Sequence, residues 1–424
     1  MSAHEVAAPI QTVPYFTRGT KIIFGIMLAG LAALLARFIF GLGAVTNLND
    51  QYPWGLWIAI DVATGVALAA GGFTTAALAE IFHQGKYHSV TRPALLTAML
   101  GYTFVALGVV TDLGRYYNIW HVMLPSMWQG NSVLFEVGIC VMTYLTVLYI
   151  EFVPIVVERF HGRVNLPGAL SVFNKPVDAV LGIAGRAVRR VLWVFIIAGV
   201  VLSCLHQSSL GTLMVIAPNK MHPLWYTSIS PLLFLLSAIA VGFPMVIFES
   251  VLAHRSLRLP PERKTLSSLA RYTPIILGVY LVVKIVDLTL REAWPYVFEG
   301  SFQSFAYIVE MGLGVILPIA LLSSAKIRNS VAGLFTGATL VVFGVVLNRI
   351  NVFIIGYKPL YATSPYIPSI FEFLVTLGLA AALVLLYRLF VMHLPVISVR
   401  EGEDVTTRRG PARWSHDFGE GWKP

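Results

Sequence analysis

The sequence predicts an all-α polytopic membrane protein with ten transmembrane helices. Three observations lead there. Of its 424 residues, 57% are hydrophobic and 12% charged, and the mean hydropathy is +0.76, far from the balance of soluble domains. Apolar runs recur ten times, each long enough to cross a hydrocarbon layer about 30 Å thick with roughly 20 residues. Lysine and arginine gather in alternate connections, the signature of a chain that weaves through a bilayer.

The runs lie near 20 to 42, 55 to 80, 93 to 116, 132 to 157, 190 to 210, 229 to 253, 271 to 291, 302 to 324, 331 to 351 and 369 to 393. At that depth the backbone must satisfy its own hydrogen bonds, so each is a helix, and length rather than periodicity decides it. Residues 1 to 19 form a short N-terminal segment; they hold His, Glu and Pro in place of an apolar leader, so the first span itself inserts. Residues 20 to 395 make one membrane domain. Residues 396 to 424, with Arg400, Glu401, Glu403, Asp404, Arg408 and Arg409, read as a polar, flexible cytoplasmic tail.

Arg18, Lys21, Lys86, Arg92, Arg159, Arg163, Lys175, Arg186, Arg189, Arg190, Arg255, Arg258, Arg263, Lys264, Arg271, Lys326 and Arg328 all fall on one side. Arg115, Lys220, Arg291, Arg349 and Lys358 fall on the other. The imbalance places both termini in the cytoplasm and attributes the formal charge of +9 to topology, with no nucleic-acid partner. Cys140 and Cys204 are too few and too distant to hold an iron-sulfur cluster or a structural zinc, so no metal ligand set is present.

The outer connections, such as NIWHVMLPSMWQGN and APNKMHPLWYTSIS, are rich in Trp, Tyr, Pro and Asn. They suit an interfacial aromatic belt and equally a docking platform for a protein partner. TDLGR at 111 to 115 precedes Glu136 by 21 residues, and VDLTLR at 286 to 291 precedes Glu310 by 19. Read as a duplication, this makes helices 2 to 5 and 6 to 9 two related four-helix bundles in the same orientation, with helices 1 and 10 added. Many alternating-access transporters use inverted repeats instead.

A charge at the bilayer centre costs about 2.5–3.5 kcal/mol on insertion scales, so each one calls for a partner or a purpose. Arg37, Asp61, Asp112, Arg115, Glu136, His206, Lys284, Asp287, Glu310 and Arg349 form a polar layer in the outer third of their helices. Spacing pairs Asp112 with Arg115, Lys284 with Asp287, and Asp287 with Arg291. The second set reads as structural charge pairs. In the first, Asp61, Glu136 and His206 add titratable groups from neighbouring helices and point to chemistry.

A quinone fits that chemistry. Its carbonyls accept hydrogen bonds, its reduction takes two electrons and two protons, and its isoprenoid tail needs an apolar entry. Haem is the rival, but of ten histidines only His206 lies clearly within a span. Deeper, Tyr102 stands mid-span, where packing competes with proton relay as its reason, and Glu249 sits near the inner end of helix 6 with Glu80 and Glu151 also toward the cytoplasm. These acids outline a proton path from the cytoplasm. A proton-coupled transporter would use the same acidic layer and is the alternative from a different class.

The run FGLGAVTNLNDQYPWGLWIAIDVATGVALAAGGF, with DLGRYYN, NSVLFE, LHQSSLG, HPLW and VIFES, resembles the integral membrane subunits of periplasmic nickel-iron hydrogenases of the hydrogenase-2 type. Those subunits sit within the wider NrfD and polysulphide reductase C family, whose other members serve polysulphide, nitrite, sulphur-compound and quinol-oxidising enzymes. The resemblance covers residues 20 to 395. It implies a haem-free anchor in the bacterial inner membrane, without an iron-sulfur cluster of its own. Such an anchor takes electrons from a periplasmic ferredoxin-like iron-sulfur subunit, itself served by the hydrogenase small and large subunits, and passes them to menaquinone or ubiquinone. It further implies proton transfer by Tyr102, Glu136, His206 and Glu249. The residues expected around the quinone are Asp61, Asp112, Arg115, Glu136 and His206.

Overall fold

The computed structural model describes residues 5–260, 262–362 and 364–400. Ten of its helices are long and apolar enough to cross a membrane: α1 (Arg18–Phe40), α2 (Trp57–Ile81), α3 (His88–Asp112), α4 (Val133–Phe160), α5 (Asn174–Val215), α6 (Ser230–Leu257), α7 (Tyr272–Leu290), α8 (Phe302–Ser323), α9 (Val331–Ile355) and α10 (Ile370–His393). The protein is an integral, multi-pass, all-α membrane protein. An even number of crossings returns both termini to one face, called here the terminal face; the opposite one is the aromatic face.

Several boundaries differ from the hydropathy reading. α5 is a single 42-residue helix, extending well toward the terminal face beyond the apolar run at 190 to 210. Arg186, Arg189 and Arg190 end that run without ending the hydrogen-bond ladder, because Gly185 and Gly182 lie against Val157 and His161 at the end of α4. α3 stops at Asp112, where Leu113 turns extended. Arg37 of α1 then caps it, donating from Nε to the Thr111 carbonyl at 2.6 Å and from Nη2 to the Leu113 carbonyl at 2.6 Å, a cation at the negative end of a helix. α2 contains two wide turns, Trp57–Thr64 and Ala77–Ile81, on either side of a tightened step at Ala69.

α2, α3, α4 and α5 close a ring of neighbours, as do α6, α7, α8 and α9, and α6 joins the rings through α2 and α5. α1 and α10 pack on each other, with α10 also against α3. Their approach rests on Gly30 and Gly378: a Cβ at Gly30 would stand 2.4 Å from the Gly378 Cα.

The terminal segments depart from expectation. β1 (Glu5–Ala8) pairs antiparallel with β2 (Ile397–Arg400), Ala8 opposite Ile397. Residues 397–400 are therefore a strand, not the start of a flexible tail, because the backbone partner that orders them lies about four hundred residues away in sequence. The remainder of the expected tail, 401 to 424, lies outside the described residues. Between β1 and α1 the chain is packed inward, with Ile10, Thr12 and Val13 all buried.

On the aromatic face the connection after α9 ties the others together. It receives Gln51 Nε2 on the Tyr361 carbonyl at 2.8 Å, the His222 amide on the Gly356 carbonyl at 2.7 Å, and the Leu56 amide on the Tyr366 hydroxyl at 3.1 Å. A cleft of about 400 Å³ opens beside it, lined by Tyr52, Phe302, Tyr357, Lys358 and Tyr366; none of the sequence-predicted site residues reaches it.

The glycine contact generates a prediction. Gly30→Val forces side-chain atoms against the α10 backbone and should cost on the order of 2 kcal/mol, read as a lower midpoint of thermal unfolding in detergent. Gly25, with nothing within 4 Å of its Cβ position, controls for helix propensity; an equal loss from Gly25→Val would show that α1–α10 packing is not the cause.

Candidate functional site

The site grows from one face of α5. Ser203, His206, Gln207 and Leu210 recur at helical spacing and are buried, with His206 meeting α3 and Gln207 meeting α2. Gln207 donates from Nε2 to the Val66 carbonyl at 2.7 Å, locking α5 to α2. His206 Nδ1 lies 3.2 Å from the Tyr102 hydroxyl of α3. The Tyr144 ring of α4 meets Tyr102 edge-on at 4.5 Å between centroids. Three helices thus converge on a wholly buried Tyr102–His206 pair.

Polar atoms here are left without protein partners: His206 Nε2 and Gln207 Oε1 are buried and make no hydrogen bond, while Ser203 stands against the Tyr102 and Tyr144 hydroxyls. An unpaired buried group costs about 1–3 kcal/mol, so two side by side mark a place built to meet something polar. With the Tyr102 hydroxyl donating to Nδ1, the neutral imidazole carries its proton on Nε2, a donor that no protein group meets.

Glu136 opens α4 behind the Ser132 cap, where a carboxylate suits the positive helix end. It accepts a short hydrogen bond from the Ser209 hydroxyl, one turn along α5 from His206. Sequence reasoning enclosed Glu136 with His206; the structure leaves it exposed at the α4–α5 seam, with Ser209 between the two.

Asp61 and Asp112 form a separate cluster. Asp61 accepts from Thr376 of α10 at 2.7 Å, and a Cβ at Gly108, one turn from Asp112, would stand 3.0 Å from the Asp61 Cβ. Asp112 Oδ1 is buried and unpartnered. The expected Asp112–Arg115 pair does not form. Arg115 lies beyond the end of α3, where helical i, i+3 geometry no longer holds, and its side chain is exposed; Arg37 is the cation beside Asp112. Glu372, missed in the sequence, completes this group. Fully buried at the start of α10, it closes a capping box with Ser369 and accepts from Tyr366. Burial and that carboxylate hold the Tyr366 phenol protonated well above its usual range. The sequence signal was available: Ser369 three residues before Glu372, ahead of an apolar run.

Glu249 stands apart from both groups, against Thr97 of α3 and Tyr387 of α10. In the second ring Glu310 and Asp287 are fully engaged. Glu310 accepts from Trp225 at 3.0 Å, Asn348 at 2.7 Å and Asn351 at 2.7 Å; Asp287 accepts from Thr227 at 2.6 Å and from Arg291 at 2.7 and 3.1 Å. Arg349 lies over the Phe234 ring at 3.8 Å.

The family described as Polysulphide reductase, NrfD, matches residues 44–360. The chain belongs to the NrfD family. A protein of Nitratidesulfovibrio vulgaris is 37% identical over 89% of this chain and 94% of its own length. The Ni/Fe-hydrogenase 2 b-type cytochrome subunit of Escherichia coli K12 is 32% identical over 88% of this chain and 91% of its own. The integral membrane subunit of a menaquinone reductase from Nitratidesulfovibrio vulgaris is 27% identical over 87% and 88%.

The name of the Escherichia coli relative raises haem, and the donor set here does not fit one held by two histidines. Among the described residues the buried histidines of the spans are His206 and His254; sequence reasoning overlooked the second as a helix-end residue. They sit toward opposite faces, and His254 Nδ1 bonds its own helix at the Ser250 carbonyl, 2.7 Å away. His88 and His393 lie exposed at the terminal face. The purified subunit is therefore expected to show no Soret band; a stoichiometric b-type spectrum would refute this.

Proposed function

We propose that this NrfD-family chain is the quinone-reactive membrane subunit of a respiratory oxidoreductase, most specifically of a nickel-iron hydrogenase. In this reading it passes electrons between an iron-sulfur partner and membrane quinone. The observation that carries the proposal is the buried Tyr102–His206 pair with the unpartnered His206 Nε2 and Gln207 Oε1 beside it. A quinone carbonyl supplies the acceptor that His206 Nε2–H lacks. As electrons arrive the reduced oxygen takes that proton while the Tyr102 hydroxyl passes its own to Nδ1, so that the imidazole stays neutral, and Tyr102 is reprotonated in turn by way of Glu249. Tyr102 holds the ring in the donating tautomer. Glu136, exposed yet linked to α5 through Ser209, exchanges protons with the aromatic-face solution. The seam between α4 and α5 beside it admits the isoprenoid tail from lipid. Asp61, Asp112 and Arg37 brace the outer end of α3 next to this seam.

The relatives support this reading by their names, one a hydrogenase subunit and one a subunit of a menaquinone reductase. The second of these equally favours a complex with another soluble enzyme. The basic terminal face belongs in the cytoplasm by the distribution of lysine and arginine, which makes the aromatic face periplasmic in the inner membrane. The partner docks there: Tyr117, Trp120, Met123 and Trp128 are 62%, 50%, 65% and 47% exposed, more apolar surface than a lipid belt requires on a connecting loop.

Two experiments test the proposal. Glu136→Gln keeps size and hydrogen bonding but removes the exchangeable proton, so hydrogen-to-quinone turnover should fall by about 10²-fold while hydrogen oxidation with an artificial dye persists. Equal loss in both assays would make Glu136 an assembly residue, and unimpaired quinone turnover would remove it from the proton path. Cross-links from the iron-sulfur partner should fall within 43 to 54, 117 to 131 and 211 to 228. Cross-links confined to the basic connections would reverse the orientation, and a chain that purifies alone, without quinone, would favour a transporter.

A further inference from the structure

With 42 residues, α5 is about 63 Å long, twice the thickness of the hydrocarbon layer. Much of the surplus lies toward the terminal face. Gly182 and Gly185 pack there on His161 and Val157 at the end of α4, and the residues from Asn174 to Leu181 project past that neighbour.

One stripe of α5 has a graded chemistry. Arg186, Arg190, Trp193 and Ile197 follow one another at i, i+4, i+7 and i+11, a single face at 3.6 residues per turn. All four are exposed, Trp193 at 66%. The helical rise sets the two guanidinium-bearing residues about 6 Å apart, the indole about 4.5 Å further along and the aliphatic chain about 6 Å beyond it. Val201 and Leu205, also exposed, continue the apolar part in steps of four residues.

The acids at this end are engaged elsewhere. Glu80 meets His88 at 3.1 Å, Glu158 meets Arg92 at 2.8 Å, and Asp178 meets His161 at 3.1 Å and accepts from the Gly162 amide at 2.6 Å. Among the described residues the guanidinium groups of Arg159, Arg163, Arg186, Arg189 and Arg190 make no hydrogen bond or ion pair. Arg159 and Arg163 stand at the end of α4 that Gly182 and Gly185 touch, and so add charge at the same level. Cations beside a span are ordinary markers of topology. This face adds an exposed indole and aliphatic chains in register below arginines that no protein acid answers. A soluble partner would have to enter the bilayer to cover Trp193 and Ile197, whereas a phospholipid presents phosphate, ester and acyl chain in that order.

We propose that this face of α5 binds one anionic phospholipid of the surrounding leaflet. Arg186 and Arg190 hold the phosphate, which suits the planar guanidinium fork. The Trp193 indole lies at the ester region, where such rings settle, and an acyl chain runs along Ile197, Val201 and Leu205. Arg159, Arg163 and Arg189 raise the local positive potential that selects an anionic headgroup over a zwitterionic one. The site depends on neither the quinone nor the partner assignment.

The test titrates the full chain, purified in detergent, with phosphatidylglycerol and counts bound lipid by native mass spectrometry, with phosphatidylcholine as the zwitterionic probe. Wild-type protein should prefer phosphatidylglycerol. Arg186→Gln/Arg190→Gln should weaken that binding by roughly thirtyfold, the joint effect of two cations near an anionic surface, and Trp193→Ala should cause a smaller loss. Arg263→Gln/Lys264→Gln, which removes two exposed cations of the same face of the protein, should change it little. Equal binding of the two lipids by wild type, or equal losses in the two double variants, would overturn the proposal in favour of a general basic surface. Full displacement of phosphatidylglycerol by inorganic phosphate would make the arginines a free-anion site and overturn it as well. A particle that loses one protein chain in Arg186→Gln/Arg190→Gln would show that the face joins two copies, which also overturns it.

Discussion

A polar atom buried between membrane helices has no water to fall back on, so it must be bonded by the protein or reserved for something else. The placement of charge in this chain follows from that constraint. Arg37 is buried and spends its guanidinium on the open carbonyls at the end of α3. Arg388 does the same for the segment that precedes α1. In both cases a cation that would be costly alone serves as the bond that joins distant parts of the chain, α1 to α3 and the N-terminus to α10.

The same constraint acts in both rings of four helices. In the ring of α6 to α9, Glu310 and Asp287 each collect several donors, and Lys284 is buried beside them. These acids have no spare capacity for a ligand, which suits a structural role. In the ring of α2 to α5 Asp112 Oδ1, His206 Nε2 and Gln207 Oε1 are left without partners, as are the Thr273 and Tyr307 hydroxyls and Arg349 Nε in the other ring. Around Glu310 it is Asn348, Asn351 and Trp225 that close the network.

Depth orders these polar groups. Glu136 is exposed near the aromatic face, the Tyr102–His206 pair is wholly enclosed, and Glu249 of α6 with Thr97 and Tyr387 lies closer to the terminal face. The small residues that let α1 and α10 touch at Gly30 and Gly378 keep α10 close enough to deliver Thr376 to Asp61 and Tyr387 to Glu249.

The amino-acid sequence by itself determined the ten crossings, since an apolar run of sufficient length has only the helix available to it in hydrocarbon. It also marked Glu136, His206 and Glu249 as polar groups whose place in a membrane helix asks for a reason, and the family resemblance added Tyr102. It could not say which of them meet, because contacts between helices depend on rotation and tilt that hydropathy does not encode. So Asp112 took Arg37, seventy-five residues away, in place of Arg115 three residues away. Glu136 stayed at the surface of the bundle, and Glu372, Thr97 and Tyr387 emerged as partners only when α10 was set against α2, α3 and α6. The two terminal strands were equally out of reach of local reading, for each finds its hydrogen bonds only in the other, at the opposite end of the chain.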